Sequence, residues 1–363
     1  MLTRTFTLRF ITPAFLGNAE QTGQWRTPPI KALLRQWWRV AYAAQQPGAV
    51  DIAAMRTAEG QLFGVAADGE GESRKSLVRL RLGSWKEGGL SPWSASGAGG
   101  VMHPEVKGQD GRCKPVDSQL YLGYGPLVSK GNGTALKHRA AIQAGEESEL
   151  RLAVASEAEV MRIDKALWLM QHYGTLGGRS RNGWGSFSLT PSGTDTAAFD
   201  TRLDDKLTSF WQDALALDWP HAIGRDEEGP LIWQTGALPD WKAVMRRLAE
   251  IKIALRTQQA FKFTSDANAR SPEPRHWLSY PVTNHSVAPW KDGKRDLRLP
   301  NSLRFKVRTD ARGQLRGVIF HVPCKPPAAF QPDMQDMQTI KKVWQHVHSL
   351  LDHADQKLER IAA

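Results

Sequence analysis

Residues 25–39 read WRTPPIKALLRQWWR, and this stretch predicts an amphipathic helix. Pro28 and Pro29 stand where the helix begins, because proline is tolerated in the first helical turn. Apolar side chains then recur at helical spacing and predict a buried face that consists of Ile30, Leu33, Leu34, Trp37 and Ala41. Lys31, Arg35 and Arg39 are spaced four residues apart, so they lie on another face of the helix. Trp38 lies on the same face.

The segments on both sides of this helix show a mixture of strand and helix patterns. Within residues 1–190, the patterns predict strands at 2–11, 76–82 and 150–154 and helices at 51–63 and 157–173. Within residues 191–363, they predict helices near 202–217, 239–256 and 337–361, and strands near 302–309 and 315–322. The order is mixed and includes hairpin signals such as the turn DARG at 310–313, so the chain is predicted to be α+β.

Length and composition indicate two domains. The chain has 363 residues, whereas one domain usually has about 100–200. The segment 191–200, PSGTDTAAFD, predicts a linker, so we expect domains at 1–190 and 191–363. Residues 83–133 are rich in glycine, proline and serine and show little periodicity, which predicts an insertion in the first domain that is functional or partly disordered.

The charge of the chain favours a polyanionic partner. The formal net charge is +11 at pH 7, and nucleic acid is the first candidate for such a protein. The alternative is a mildly basic enzyme whose charge only keeps it in solution. No apolar stretch reaches the ~20 residues that cross a bilayer, so no membrane partner is expected. Cys113 and Cys324 lack metal-ligand spacing, which indicates a reducing cytoplasm and neither disulfide scaffold nor zinc ribbon.

The helix at 25–39 is the first candidate binding element. Its basic residues are Arg26, Lys31, Arg35 and Arg39, and the segment contains no aspartate or glutamate. Like charges four residues apart on a helix repel each other, so such a stripe is reasonable where phosphates neutralise it. The alternative is a solvated helix face above core tryptophans.

The glycine-rich loop at 174–185, GTLGGRSRNGWG, is the second candidate element. Its five glycines let the backbone approach a ligand, and main-chain N–H groups in such loops bind anions. Ser180 is flanked by Arg179 and Arg181 and follows Gly177 and Gly178. The loop lacks the GxxxxGK[ST] pattern, and a helix precedes it, so it is neither a P-loop nor a dinucleotide loop.

The third candidate is the basic run at 291–316, which has nine Lys or Arg against three Asp. It contains Lys294, Arg295 and Arg304, and Arg304, Lys306 and Arg308 alternate along one face of a predicted strand. The run is either the second wall of an RNA groove or the solvated face of a sheet.

Signals for catalysis are weak. The ten histidines form no HExxH or deaminase zinc signature, and no GxSxG motif is present. His138, between Lys137 and Arg139, is the best single candidate for a general base. We therefore expect no catalytic residue, no metal site and no cofactor.

Taken together, these motifs resemble a known family. The opening strand with TPAFLGNAEQTGQWRTPPIKALLRQWWR at 12–39, the EGQLFG at 59–64 and the GTLGGRSRNGWGSF at 174–187 are similar to signature segments of the RAMP superfamily of CRISPR effector subunits. The double-tryptophan helix and the position of the glycine-rich loop are most similar to the first RAMP subunit of Cmr (type III-B) complexes. The loop is shorter here than the usual GGiGaRs, and the insertion at 83–133 is long.

The resemblance implies two ferredoxin-like (RRM-topology) domains and a non-catalytic subunit near the 3′ end of the guide RNA. Its expected partners are guide RNA, target RNA and other RAMP subunits. RNA would be bound by Arg26, Lys31, Arg35, Trp38, Arg39, Gly177, Gly178, Arg179, Ser180, Arg181, Lys294, Arg295 and Arg304. The insertion would enter a guide–target duplex, where Trp85, Trp93, Tyr121 or Tyr124 stacks on bases or on protein. The alternative within the superfamily is an endoribonuclease that cuts guide precursor or target RNA.

Overall fold

The computed structural model describes residues 2–46, 48–66, 73–93, 99–131, 133–155, 157–192, 203, 205–265, 267–293 and 295–361. Within these ranges, the predicted mixture of helices and strands is confirmed. The N-terminal part contains the strands β1 (Leu2–Phe10), β2 (Val78–Leu82), β3 (Gly100–Lys107), β4 (Cys113–Asp117), β5 (Leu127–Lys130), β6 (Gly133–Leu136), β7 (Glu147–Val154) and β8 (Phe187–Pro191). Its helices are α1 (Thr27–Ala43), α2 (Ile52–Phe63), α3 (Ser118–Gly123) and α4 (Val160–Tyr173).

The first sheet is antiparallel and has the strand order β2-β7-β1-β8. In β1, Phe6, Leu8 and Phe10 are fully buried, as their alternation predicts. Helices α1 and α4 pack against each other. Asp51 caps α2 by accepting a hydrogen bond from the N–H of Ala54, and Gly64 ends the helix with a φ of +82°.

The insertion between β2 and β7 folds into defined elements. Strands β3 and β4 form one hairpin, β5 and β6 form another, and α3 lies between them. Both β3 and α3 pack on a helix of the C-terminal half, α5 (Trp241–Arg256). The sequence of this segment shows little periodicity because its strands and helix are short. Their apolar contacts come from the other half of the chain.

The main sheet of the second half has the same strand arrangement as that of the first. Its main antiparallel sheet has the order β17-β18-β12-β19, and α5 and α6 (Met334–Asp352) connect its strands. The strands of this half are β9 (Thr208–Phe210), β10 (Ile223–Asp226), β11 (Gly229–Pro230), β12 (Ile232–Thr235), β13 (Asn268–Ala269), β14 (Ser286–Val287), β15 (Lys291–Asp292), β16 (Arg295–Asp296), β17 (Leu303–Thr309), β18 (Leu315–His321) and β19 (Leu358–Arg360).

Two predicted helices of this half differ from the structure. The helix expected near 202–217 is wrong in its described part, which contains two short 3₁₀ turns and strand β9. The C-terminal helix ends at Asp352 rather than near residue 361, because the chain turns there and forms β19 beside β12. Strand β12, which the sequence patterns missed, lies between β18 and β19.

The two halves share continuous apolar packing. Val318 and Phe320 of β18 belong to the core cluster of the first half, and Trp184 of the glycine-rich loop belongs to that of the second. Trp37 of α1 and Phe320 are in contact, with ring centroids 6.4 Å apart. Most of the expected linker, residues 193–200, lies outside the described residues, so the domain boundary at 190/191 stays a prediction.

Candidate nucleic-acid interface

The basic stripe of α1 is present, but it has an acidic partner. Arg35 and Arg39 both approach Glu59 of α2, with N–O distances of 2.8 and 2.6 Å. The Glu59 side chain is only 3% exposed, whereas those of Arg35 and Arg39 are 42% and 33% exposed. Lys31 donates a 2.9 Å hydrogen bond to the carbonyl of Phe63. The expected absence of acidic partners holds only within 25–39, because the neighbouring helix α2 supplies Glu59.

Glu59 holds this arrangement as an anion. Burial alone would raise the pKa of its carboxyl, but the hydrogen bonds and the positive charges of Arg35 and Arg39 together outweigh burial and lower the pKa. The stripe therefore keeps two unneutralised positive charges after Glu59 is counted. With Gln36, its residues line an open groove beside Pro28 and Phe63.

Trp38 does not face this groove. Its side chain is fully buried, and its indole N–H donates a 3.0 Å hydrogen bond to Glu159. The prediction that Trp38 binds RNA is therefore wrong for this conformation, since the indole packs against Tyr42 and Phe63 in the core. Trp25 and Trp184 of the basic motifs are likewise fully buried.

The glycine-rich loop lies close against the segment that follows β1. The N–H of Gly178 donates a 2.9 Å hydrogen bond to the carbonyl of Phe15. Gly177 has a φ of +94°, and a Cβ atom there would lie 2.7 Å from that carbonyl oxygen, so the close approach requires glycine. Arg179 itself has a φ of +55° and is exposed, and Ser180 is half-buried.

Arg179 belongs to a group of cations that the sequence patterns did not identify. Its Nε donates to the carbonyl of Tyr124, and the positive charges of Arg298 and Lys252 lie near its guanidinium. Lys252 of α5 donates a 2.7 Å hydrogen bond to Asn182 of the loop. Burial, followed by the charges of Arg256 and Arg179, lowers the pKa of Lys252 to about 7. No sequence signal identified Lys252, because it lies 70 residues from the loop in an ordinary amphipathic helix.

Arg181 and Arg304 meet at a second position, between the two halves. Both line a cavity of about 100 Å³. Arg304 is only 7% exposed and lies over the ring of Trp37, 5.9 Å from its centroid. The carboxamide of Gln36 is oriented with its oxygen towards Arg304. This oxygen accepts hydrogen bonds of 2.8 and 2.9 Å from the Arg304 guanidinium. Gln36 also lines the α1 groove, so Arg304 connects the stripe with this cavity.

The basic face of β17 is neither a solvated face nor an open groove wall. Arg304 and Lys306 are both buried, and Arg308 is half-buried. Both interpretations assumed that one side of this strand faces solvent. They fail because the first half of the chain covers that side.

The remaining predicted residues lie apart. Arg26 donates a 2.7 Å hydrogen bond to the carbonyl of Gly17. Arg295 is exposed in the β15–β16 hairpin, and Lys294 lies outside the described residues. The structure therefore brings Lys31, Arg35 and Arg39 together, places Arg181 beside Arg304, and leaves Arg179 with a different set of cations.

A groove of about 260 Å³ runs beside the glycine-rich loop and holds His138. Gly178 lines it on one side, and Lys137 and His138, between β6 and β7, line it on the other. Within the described residues, no three His, Cys, Asp or Glu side chains are grouped so that they could hold a metal ion. Helices in the described part of the chain are too short or too polar to span a membrane.

Comparison with known proteins identifies the family. The RAMP superfamily model matches residues 7–188, which include the end of β1, all of α1, the glycine-rich loop and the start of β8. This chain belongs to the RAMP superfamily. No curated protein matches the chain.

Solved structures similar to this RAMP protein include the apo form of Cmr1 from Pyrococcus furiosus, with 16% identity and a TM-score of 0.45. That likeness covers 94% of this chain and 97% of Cmr1. A chain of the type III-B Cmr-beta complex bound to cognate target RNA and AMPPnP in the presence of ssDNA is similar at 13% identity and a TM-score of 0.47, covering 95% of this chain and 99% of that one.

Proposed function

We propose that this RAMP protein is a non-catalytic RNA-binding subunit of a type III-B CRISPR ribonucleoprotein. It lies near the 3′ end of the guide RNA, contacts other RAMP subunits and helps to capture complementary target RNA for antiviral defence. The observation that carries the proposal is the exposed Arg179 on the glycine-rich loop. This loop combines an exposed positive charge with a backbone that glycine keeps free of side chains. It lies within the residues that the RAMP family model matches.

The topology supports this assignment. The strands of the main sheet in each half, with the helices between them, follow the order strand–helix–strand–strand–helix–strand, and the third of these strands lies beside the first. Helix α2, the insertion and the short strands β9–β11 and β13–β16 are additions to this order. This is the ferredoxin-like order, so we infer two ferredoxin-like domains with the insertion in the first. The type III-B assignment rests on the double-tryptophan helix of α1 and on the position of the glycine-rich loop at 174–185.

The arrangement of charged side chains favours an RNA-binding surface over a basic surface that is only solvated. Two groups of cations have fewer carboxylates than positive charges, namely the α1 stripe with Glu59 and the set around Arg179. Lys252 and Arg256 lie close to each other away from bulk solvent, and their hydrogen bonds to Asn182 and Ser279 hold them in place without neutralising their charge. A phosphate backbone would neutralise them.

RNA-binding measurements test the proposal. We expect the purified chain to bind labelled single-stranded RNA in an anisotropy assay, with affinity that falls steeply as salt rises. Arg179→Gln is expected to weaken binding about tenfold and to lower the salt dependence by about one ion. Arg312→Gln, in the exposed β17–β18 turn, is the matched control and should bind like the wild type. Equal binding by both variants would contradict the assignment of the loop.

Assembly and cleavage assays separate the two RAMP functions. Co-expression with the other RAMP subunits and a guide RNA should give a particle that contains this chain and the guide. The endoribonuclease alternative is favoured by His138 and Lys137 in the groove beside Gly178. Site-specific cleavage of guide precursor or target RNA that disappears in His138→Ala would overturn the non-catalytic proposal, whereas binding without cleavage supports it.

A further inference from the structure

A chain of three hydrogen-bonded side chains ends at the small cavity between the two halves. The Ser302 hydroxyl lies 3.0 Å from Nε2 of His321, and Nδ1 of His321 lies 2.9 Å from Nε2 of His348. His321 is fully buried and His348 is only 5% exposed, whereas Ser302 is half-buried and lines the cavity. A hydroxyl within reach of solvent is therefore joined to two histidines that solvent does not reach.

The two rings are suited to accept and orient a proton. Burial lowers the pKa of both histidines, that of His348 to about 3, so both rings are neutral at pH 7. A neutral imidazole carries one N–H donor and one acceptor nitrogen. Ser302 can therefore donate to Nε2 of His321 while the Nδ1–H of the same ring donates to His348. In this arrangement His321 is a base at the hydroxyl, and His348 fixes its tautomer and orientation.

The cavity in front of Ser302 is mostly apolar and contains one unpartnered donor. Its walls include Trp277, Leu299 and Ile340, and its volume is about 100 Å³. Such a lining suits a short acyl chain better than a hydrated anion. Arg304 lies two residues beyond Ser302, and its Nε is buried without a hydrogen-bond partner among the described residues. This N–H is available for the negative charge that develops on a carbonyl oxygen under attack.

We propose that Ser302 is an activated nucleophile that takes a short acyl group from an ester, with His321 as the general base and His348 as its positioning residue. A serine hydroxyl bonded to an imidazole that a third group orients is the arrangement that nucleophilic catalysis requires. This chemistry is separate from the proposed function, in which the chain binds RNA without reacting with it.

Acylation forms one covalent bond and breaks another. The Ser302 oxygen attacks the carbonyl carbon of the ester, and the hydroxyl proton passes to Nε2 of His321. The bond from that carbon to the alcohol oxygen then breaks, and the alcohol leaves with the proton that His321 held. Water attacks the acyl-serine along the same path, releases the carboxylic acid and restores Ser302. Because the low pKa of His321 makes it a weak base, we expect acylation followed by slow turnover.

Labelling of the folded chain tests the nucleophile. The full chain is incubated with a fluorophosphonate probe, and peptide mass spectrometry locates the modified residue. We expect modification of Ser302 that is absent from Ser302→Ala and from the urea-unfolded wild type. Ser286 is the internal control, because it is also half-buried but its hydroxyl bonds Asn268 and the carbonyl of Ala267 instead of a histidine. Absence of label at Ser302, or equal labelling of Ser302 and Ser286, would overturn the proposal.

Activated esters of two lengths test the cavity. With p-nitrophenyl acetate, the wild type should release a burst of about one equivalent of p-nitrophenol, and Ser302→Ala should give no burst. With p-nitrophenyl octanoate, the burst should be at least about tenfold slower, because the longer chain exceeds the cavity. A burst of the same size in Ser302→Ala would show that other side chains react, and equal rates with both esters would show that the acyl group does not enter this cavity. Either result contradicts the proposal.

Two variants of His348 separate positioning from a structural role. His348→Gln offers an acceptor oxygen to Nδ1–H of His321, whereas His348→Phe keeps an aromatic ring beside Trp233, on which His348 stacks with centroids 5.9 Å apart. We expect His348→Phe to react with the probe at least about tenfold more slowly than the wild type, and His348→Gln to recover part of that loss. Urea unfolding measures the stability of both variants. Labelling rates that follow stability and not the presence of an acceptor would overturn the role of His348.

Discussion

Lys306 of β17 donates a 2.6 Å hydrogen bond from Nζ to the carbonyl of Gly174, across the boundary between the two halves of the chain. It also donates to the carbonyl of Met170 at 3.2 Å, and its Nζ lies 4.5 Å from the centroid of Phe187. Helix α4 ends at Tyr173, and the Met170 carbonyl already accepts a 2.9 Å hydrogen bond from the N–H of Gly174, so Lys306 is a second donor to Met170 and a donor to the Gly174 carbonyl just beyond the helix. A fully buried lysine of the second half therefore satisfies the end of a helix in the first.

We expect Lys306 to stabilise the packing of the halves. Lys306→Met keeps most of the volume but removes the donor of the Gly174 carbonyl and the second donor of the Met170 carbonyl, which should lower the free energy of unfolding by about 1–3 kcal/mol. Lys306→Ala adds a cavity and should cost about 2 kcal/mol more. Urea unfolding monitored by tryptophan fluorescence measures both. A Met variant as stable as the wild type would show that these hydrogen bonds contribute nothing net.

Glu59 sets the charge of the α1 stripe. Glu59→Gln leaves Arg35 and Arg39 without a carboxylate partner and should destabilise the protein by about 3 kcal/mol, since it breaks a partly buried ion pair. The same change adds one positive charge to the groove, so RNA affinity is expected to rise at low salt. Urea unfolding and anisotropy titration test the two effects. Weaker RNA binding by folded Glu59→Gln would show that RNA does not follow this groove.

The pair of helices around Glu59 shows what the sequence patterns could and could not predict. Asp51 caps the start of α2 and Gly64 ends it, so the helix predicted at 51–63 lies between two local signals. The Arg35–Glu59 pairing joins residues 24 positions apart on two helices. Such a contact depends on how the helices pack, which neither the periodicity nor the absence of acidic residues in 25–39 encodes.

Strand β17 shows the same limit for burial. Its alternation correctly predicted a strand, and the apolar face of Leu303, Phe305 and Val307 is buried. Its basic face is buried as well, because α4 and the glycine-rich loop cover Lys306. Alternation identifies the side facing the sheet's own core, but it carries no information about a second domain on the other side.

Gly185 closes the glycine-rich loop and should tolerate no side chain. Its φ is +66°, and a Cβ atom there would lie 1.8 Å from the carbonyl oxygen of Leu176. Gly185→Ala is therefore expected to lower the free energy of unfolding by at least about 2 kcal/mol. Gly236→Ala is the matched control, because a Cβ atom there meets nothing within 4 Å, and it should change stability by under about 0.5 kcal/mol. Equal unfolding midpoints for the two variants in urea would contradict this description of the loop.

Buried histidines are expected to make the protein sensitive to mild acid. Burial lowers the pKa of His172 to about 4, although its ring bonds the carbonyl of Trp168, and burial lowers the pKa of His348 to about 3. In the unfolded chain histidine titrates near 6.5, so between about pH 6.5 and 4 the unfolded state binds protons that the native state does not. Stability should therefore be complete above about pH 6.5 and should fall as the pH is lowered.

The contribution of His172 can be isolated, because its ring stacks on Trp168 with centroids 4.2 Å apart. His172→Phe keeps the stack and removes the titration, so its unfolding free energy should depend less steeply on pH between 6.5 and 4, by up to about one proton. His172→Gln removes the same titration without an aromatic ring and should show the same reduced slope. Urea unfolding at half-unit pH steps measures how the unfolding free energy of each variant depends on pH. If both variants show the same pH dependence as the wild type, His172 is protonated in the native state over this range.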